Sequence, residues 1–189
     1  MNTIVMPDCV SNRLLMDVDA AWPAVDWDGW YEYRGKLGSK LASLHYSCVP
    51  CAVVGVAGVV ASLMLEHYPD IIVDWTFHGA GMHQINPGGR LPAHYDADLH
   101  AKKNWRRKLS AVCFLDTIPT EHGGALVIDG YGAVQPVRGT VALFETPNCL
   151  HEVTELSTES QTARRTIAVF GYEPVAEASE SQSRSAIFV

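Results

Sequence analysis

Basic residues are the minority here: 14 Lys and Arg stand against 21 Asp and Glu in 189 residues, a formal net charge of −7. That balance opposes a nucleic-acid partner, since such binders carry a basic patch or stripe. The one dense basic cluster, Lys102-Lys103 with Arg106-Arg107-Lys108, has acidic neighbours in sequence. Cysteine is scarce and odd in number: Cys9, Cys48, Cys51, Cys113 and Cys149. An odd set fits reduced thiols better than a disulfide framework. Cys48-Val49-Pro50-Cys51 is a CxxC without a second pair to complete a zinc site, so it reads as two structural thiols. The N-terminus has no basic stretch leading into an apolar one, and the expectation is a cytoplasmic protein. Long hydrophobic runs are missing as well. The longest, Cys51 to Leu65, is shorter than the ~20 residues a bilayer span needs and reads as a buried helix, with no membrane partner. No internal repeat is visible, and the length suits one structural domain.

What is present is punctuation and alternation. Residues 1 to about 33 scatter Trp22, Trp27, Trp30, Tyr31 and Tyr33 among Asp and Pro, an irregular arm that packs on a sheet edge or covers a site. Trp30 to Arg34 has strand character. Leu37, Leu41 and Leu44 fall at helical spacing, predicting a helix over 36–46. Pro50 opens a second helix that ends near Tyr68-Pro69. From Asp70 the period changes to that of strands, at 71–77, 81–85, 90–95, 107–115, 125–128, 134–137, 140–145, around His151 and at 165–172, separated by Gly, Pro and Asn turns. The expected class is mainly β with N-terminal helices, the strands forming a two-sheet jelly roll. The expected divisions are 1–69, an arm with supporting helices, 70–173, a β core, and 174–189, a polar tail ending in Ile187-Phe188-Val189.

The chemistry centres on His94-Tyr95-Asp96. On a strand, residues i and i+2 face the same way, so an imidazole and a carboxylate aim at one point. His151 follows far downstream in Cys149-Leu150-His151-Glu152-Val153. Two imidazoles and one carboxylate form a facial triad with open positions, the pattern of non-haem Fe(II) oxygenases. His100 is a rival, because Asp96, Asp98 and His100 alternate and offer a local metal set. Arg164 and Thr166 share a strand face and offer a guanidinium fork and a hydroxyl to a carboxylate, while Arg165 faces the other way as the alternative clamp.

An ordered series of motifs extends this pattern: Asn86-Pro87-Gly88-Gly89, His94-x-Asp96, Arg107 to Asp116, Gly123-Gly124, Pro136 to Thr140, His151-Glu152-Val153 and Arg164-Arg165-Thr166-Ile167. In this series residues of roughly 70–173 resemble the Fe(II)/2-oxoglutarate-dependent dioxygenases, nearest to the prolyl-4-hydroxylase-like branch. The resemblance implies a double-stranded β-helix (cupin-like) core with Fe(II) on His94, Asp96 and His151. It implies 2-oxoglutarate as cosubstrate, O2 as oxidant and ascorbate as reductant. The expected reaction hydroxylates an unactivated C–H of a small molecule or peptide residue, releasing succinate and CO2. Desaturation, cyclisation and epimerisation share the same centre, whereas Asp96 at the carboxylate position argues against halogenation. Arg164 and Thr166 would hold the cosubstrate's 5-carboxylate. The tyrosines this branch carries at two cosubstrate contacts are Ile85 and Phe114 here, so Ser110 or Thr166 would supply the hydrogen bond. Tyr95 and Trp105, by position, and Arg107, by charge, are the candidate substrate contacts. The competing reading is a cupin-like metal- or ligand-binding barrel, an isomerase or sensor, in which Arg164 has no role.

Overall fold

The computed structural model describes residues 2–24, 27, 30–32, 39–43, 49–74, 80–100 and 102–175. Two expectations lie outside these residues altogether: the polar tail beyond 175 and the segment Trp75–Phe77 of the first core strand.

The chain runs β1 (Thr3–Met6), α1 (Asn12–Ala21), β2 (Tyr31–Glu32), β3 (Ser39–Ser43), α2 (Cys51–His67), β4 (Ile72–Val73), β5 (Ala80–Ile85), β6 (Leu91–His94), β7 (Trp105–Phe114), β8 (Leu126–Ile128), β9 (Gly132–Val134), β10 (Val141–Glu145), β11 (His151–Val153) and β12 (Arg164–Pro174), with a short 3₁₀ turn at Thr120–His122. Among the described residues the strands form two antiparallel sheets. The major sheet has the order β1-β10-β7-β12-β5-β3-β2, with β4 also on β12, and the minor sheet has the order β6-β11-β8-β9.

Strict alternation gives the major sheet two apolar faces. Leu109, Ala111 and Cys113 on β7 and Ile167 and Val169 on β12 pack against the helices, with Val53, Val56, Ala57, Val60 and Met64 of α2. Those α2 positions recur every three or four residues, so one stripe is buried although the whole helix is apolar. The intervening residues Phe114, Ala142 and Phe144 turn inward to meet Leu126, Ile128 and Val153 of the minor sheet. Among the described residues, the space between the sheets is therefore both a core and a place where side chains of both sheets converge. Gly171 marks where α2 comes closest: a Cβ there would sit 2.8 Å from Ile71 Cδ1 and 3.0 Å from Met64 Cε.

The jelly-roll expectation holds, and so does the helix after Pro50. The helix expected over 36–46 does not form in its described part. Ser39–Ser43 is β3, pairing with β5 from Ser39↔Ile85 to Ser43↔Gly81. The edge of β5 offers a ladder of backbone hydrogen bonds, and tertiary pairing outweighs a weak helical propensity. The short elements of the first part of the chain are tied into the fold: β1 pairs with β10, and α1, capped by the Ser11 side chain accepting from Leu14 N, packs Leu15 and Val18 into the helical layer. No helix among the described residues is long and apolar enough to cross a membrane.

Candidate functional site

His94 and His151 are register partners on β6 and β11. Side chains directly opposite one another in an antiparallel pair share a face, so strand pairing alone puts the two imidazoles side by side. Their ring centroids lie 4.4 Å apart. Each ring is held by its Nδ1, which donates to a carbonyl two residues back: Pro92 O at 2.8 Å for His94 and Cys149 O at 3.0 Å for His151. With the proton on Nδ1, each Nε2 presents a lone pair. Both Nε2 atoms face the same atom, Asp96 Oδ1, at 3.9 and 3.8 Å. The three ligand atoms lie within 4.8 Å of one another, spacing that one ion can span.

The other oxygen of Asp96 is already engaged. Oδ2 accepts from Ser110 Oγ at 2.7 Å and forms an ion pair with Arg107 NH1 at 3.1 Å. Burial pushes this carboxyl up, but Arg107, His151, the Ser110 hydroxyl and His94 together hold it below its usual value. The carboxylate is thus ionised, with one oxygen tethered to the protein and the other turned to the imidazoles. Arg107 lies flat on Phe170, its guanidinium carbon 3.8 Å from the ring centroid.

Of the rival local set, His100 is used elsewhere. Its Nδ1 accepts from the backbone N–H groups of Lys102 and Lys103 at 3.0 and 3.1 Å, and its Nε2 donates to Asp74 Oδ2 at 2.6 Å. Asp98 pairs at the surface with Arg106. His45 and His78 lie outside the described residues.

The two adjacent arginines of β12 part company. Arg165 points to the helices, where it grips Asp116 through Nε and NH2 and reaches Asp19 of α1 at 2.8 Å, its guanidinium 5.3 Å from the Trp22 ring. Arg164 points between the sheets. It is buried, its Nε donates to Gly124 O at 2.7 Å, and its guanidinium lies 5.3 Å from the Phe114 ring. Among the described residues no carboxylate stands within ion-pair distance of it, and burial pushes its pKa down to about 10, opposed only by the more distant Asp116. Thr166, two residues on and facing the same way, is 1% exposed and its hydroxyl has no hydrogen-bond partner. A buried cation without an anion beside an unsatisfied hydroxyl is costly unless a ligand completes both.

The remaining expected site residues are distributed as follows. Ser110 bonds Asp96 rather than reaching the Arg164 end. Arg107 is likewise drawn onto Asp96. Trp105 packs edge-on against His100, centroids 5.5 Å apart, and Tyr95 is exposed at the surface. The support that Arg107 gives Asp96 was not read from the sequence, because Arg107 and Ser110 are three apart and a regular strand would put them on opposite faces. The register of β7 against β12 slips at this point: Leu109 pairs with Gly171 and Arg107 with Tyr172, leaving Lys108 as an extra residue. That bulge returns Arg107 to the inner face.

Against this geometry stand the comparisons with known proteins. Residues 80–172 match the family model of the 2OG-Fe(II) oxygenase superfamily. No curated protein matches the chain by sequence. Among experimental structures it is similar to a prolyl-4-hydroxylase of Pseudomonas putida, at 17% identity over 92% of each chain with a TM-score of 0.65. It is similar to a collagen prolyl hydroxylase of Paramecium bursaria Chlorella virus-1 in complex with 2-oxoglutarate, at 11% identity over 93% of this chain and 97% of that one, TM-score 0.67. It is also similar to HygX of Streptomyces hygroscopicus with nickel, 2-oxoglutarate and hygromycin B bound, at 12% identity over 92% of this chain and 83% of that one, TM-score 0.66.

Proposed function

The chain belongs to the 2OG-Fe(II) oxygenase superfamily and is an Fe(II)- and 2-oxoglutarate-dependent oxygenase, and from that premise we propose how its own residues divide the work. His94 Nε2, Asp96 Oδ1 and His151 Nε2 hold the iron, and the donor set of two neutral imidazoles and one carboxylate suits Fe(II). Arg164 and Thr166 bind the far carboxylate of 2-oxoglutarate. The observation that carries the reading is the convergence of both Nε2 atoms on one oxygen of Asp96, with the other oxygen tied back by Ser110 and Arg107.

Iron, cosubstrate and O2 together supply a C–H oxidation coupled to conversion of 2-oxoglutarate into succinate and CO2, one oxygen atom ending in each of succinate and the hydroxylated product. The protein orients and excludes. Pro92 O and Cys149 O fix the imidazole tautomers. Ser110 and Arg107 hold Asp96 Oδ2 on the side away from the imidazoles, so that Oδ1 alone would be offered to a metal. Phe114 and Phe144, both fully buried, keep water from the floor of the site.

The primary substrate is a small molecule in this proposal. The HygX structure holding hygromycin B supports a small-molecule substrate. The four described cysteines are free thiols, in keeping with a reducing, cytoplasmic setting. Tyr95 remains the candidate substrate contact, because Arg107 and Trp105 are engaged within the fold.

The test is succinate formation from 2-oxoglutarate with Fe(II), with and without ascorbate. Wild type is expected to turn over slowly without primary substrate. Asp96→Ala is expected to lose Fe(II) binding, and Arg164→Ala to lose at least about 100-fold in 2-oxoglutarate affinity, the scale of a removed charge-assisted pair. Equal succinate formation by wild type and Arg164→Ala would return the chain's pocket to the metal-binding barrel reading.

A further inference from the structure

The floor between the triad and Arg164 is laid in cross-strand rows. Thr166 of β12 pairs with His83 of β5 on one side and with Phe114 of β7 on the other. The next row toward the triad is Gly81, Ala168 and Val112. The row after it holds Phe170 and Ser110, the latter beneath Asp96. Alternation on β5 fixes which way His83 points. Met82 packs in the helical layer, the Gln84 side chain accepts from Trp22 Nε1 on that same side, and Ile85 packs between the sheets. His83, half-buried, therefore turns inward beside Thr166. The small row of Gly81 and Ala168 leaves depth between this imidazole and the metal, with the two flanking rows ~13 Å apart along the strands.

Building on the cosubstrate pocket proposed above, we infer that His83 is a third anchor for the far carboxylate of 2-oxoglutarate, donating a ring N–H to it alongside Arg164 and Thr166. The pocket needs such a donor. Ile85 and Phe114 carry no polar hydrogen, and Ser110 is spent on Asp96. Arg164 commits its Nε to Gly124 O, and Thr166 contributes a single hydroxyl. A carboxylate has about four lone-pair sites, and a third donor on the β5 side completes its surroundings opposite Phe114. His83 also fixes the side of the trough along which the dicarboxylate lies, over Ala168 and Gly81 rather than over Val112.

The test measures 2-oxoglutarate binding to the anaerobic Fe(II) protein by its metal-to-ligand charge-transfer absorption, next to Mn(II) affinity and thermal midpoint. His83→Phe fills the space without a donor, and His83→Gln keeps an N–H. The expected result is 2-oxoglutarate binding weakened about 10- to 100-fold in His83→Phe, at unchanged Mn(II) affinity, with His83→Gln restored to within about threefold of wild type. In turnover the loss is expected in KM for 2-oxoglutarate and not in kcat at saturation. Wild-type affinity in His83→Phe, or no recovery in His83→Gln, overturns the assignment of His83. Arg164→Ala separates the two levels: if it loses the cosubstrate while His83→Phe keeps it, only His83 is wrong, and if Arg164→Ala also binds as wild type, the pocket itself is wrong.

Discussion

Gly123 and Gly124 sit at φ +70° and +69°, and a Cβ on Gly123 would run into the carbonyl oxygen of Glu155. Glycine is required there by both conformation and space. The turn matters to the site because Gly124 O holds Arg164 Nε. Gly123→Ala is expected to lower stability by about 1–3 kcal/mol and to raise KM for 2-oxoglutarate, checked by thermal melts and succinate kinetics. Arg165→Ala should behave oppositely: it leaves cosubstrate affinity within about twofold while destabilising the fold, because it strips Asp116 of its cation and leaves Asp19 with Arg138 alone. At this scale the sequence was informative where chemistry depends on residue type and two-residue spacing. His94, Asp96, Arg164 and Thr166, the residues of the proposed site, were all singled out by asking which side chains share a face. Arg107 escaped that question because a bulged Lys108 shifts the phase of β7, and the partners Pro92 O, Cys149 O and Gly124 O are backbone atoms with no signature of their own.

Elements were legible in proportion to how much of their stability is local. α2 announced itself through Pro50 and a sustained apolar run, and the strands of the core through alternation. α1 was missed because only Leu15 and Val18 are buried in its three turns, too few to mark a period, although the Ser11 cap was there to be read. β3 was misread because Leu41 falls at helical spacing from Leu37 and Leu44 while its partner β5 lies far away in sequence. Beside the burial of Leu15 and Val18, α1 is attached by ion pairs: Asp19 meets Arg138 at 2.7 Å and Arg165 at 2.8 Å. Burial pushes the Asp19 carboxyl up, but hydrogen bonds and charge from Arg138 and Arg165 outweigh it and hold the carboxyl below its usual value. A lowered carboxyl stabilises fully above its ordinary range and loses that contribution as pH falls through the lowered value. Asp19→Asn is therefore expected to cost about 1 kcal/mol at pH 7, modest because Asp19 is 41% exposed. The gap to wild type should close below about pH 4 in denaturant melts taken across pH.

For the whole molecule, the two-layer arrangement separates the proposed chemistry from scaffolding, with the side chains proposed to hold iron and cosubstrate between the sheets and the stabilising bulk between sheet and helices. Thiol reactivity should follow burial. Cys51 is exposed, whereas burial pushes Cys113 up to about 12, so alkylation of the native protein is expected at Cys51 and not at Cys113 until it is unfolded, as read by mass spectrometry. β1 also has a protective task, since it occupies the outer edge of β10. Removing residues 1–9 is expected to expose that edge and drive aggregation, measured as loss of soluble monomer. The adjacent arginines of β12 carry a final lesson in parity. Even-numbered positions from Arg164 to Ala168 face the space between the sheets, where the site is proposed, and odd-numbered ones face the helical layer. Deleting one amino acid just inside the start of this strand would exchange the assignments of its leading residues, so the length of β12 is as much a part of the enzyme's specification as the identity of any ligand.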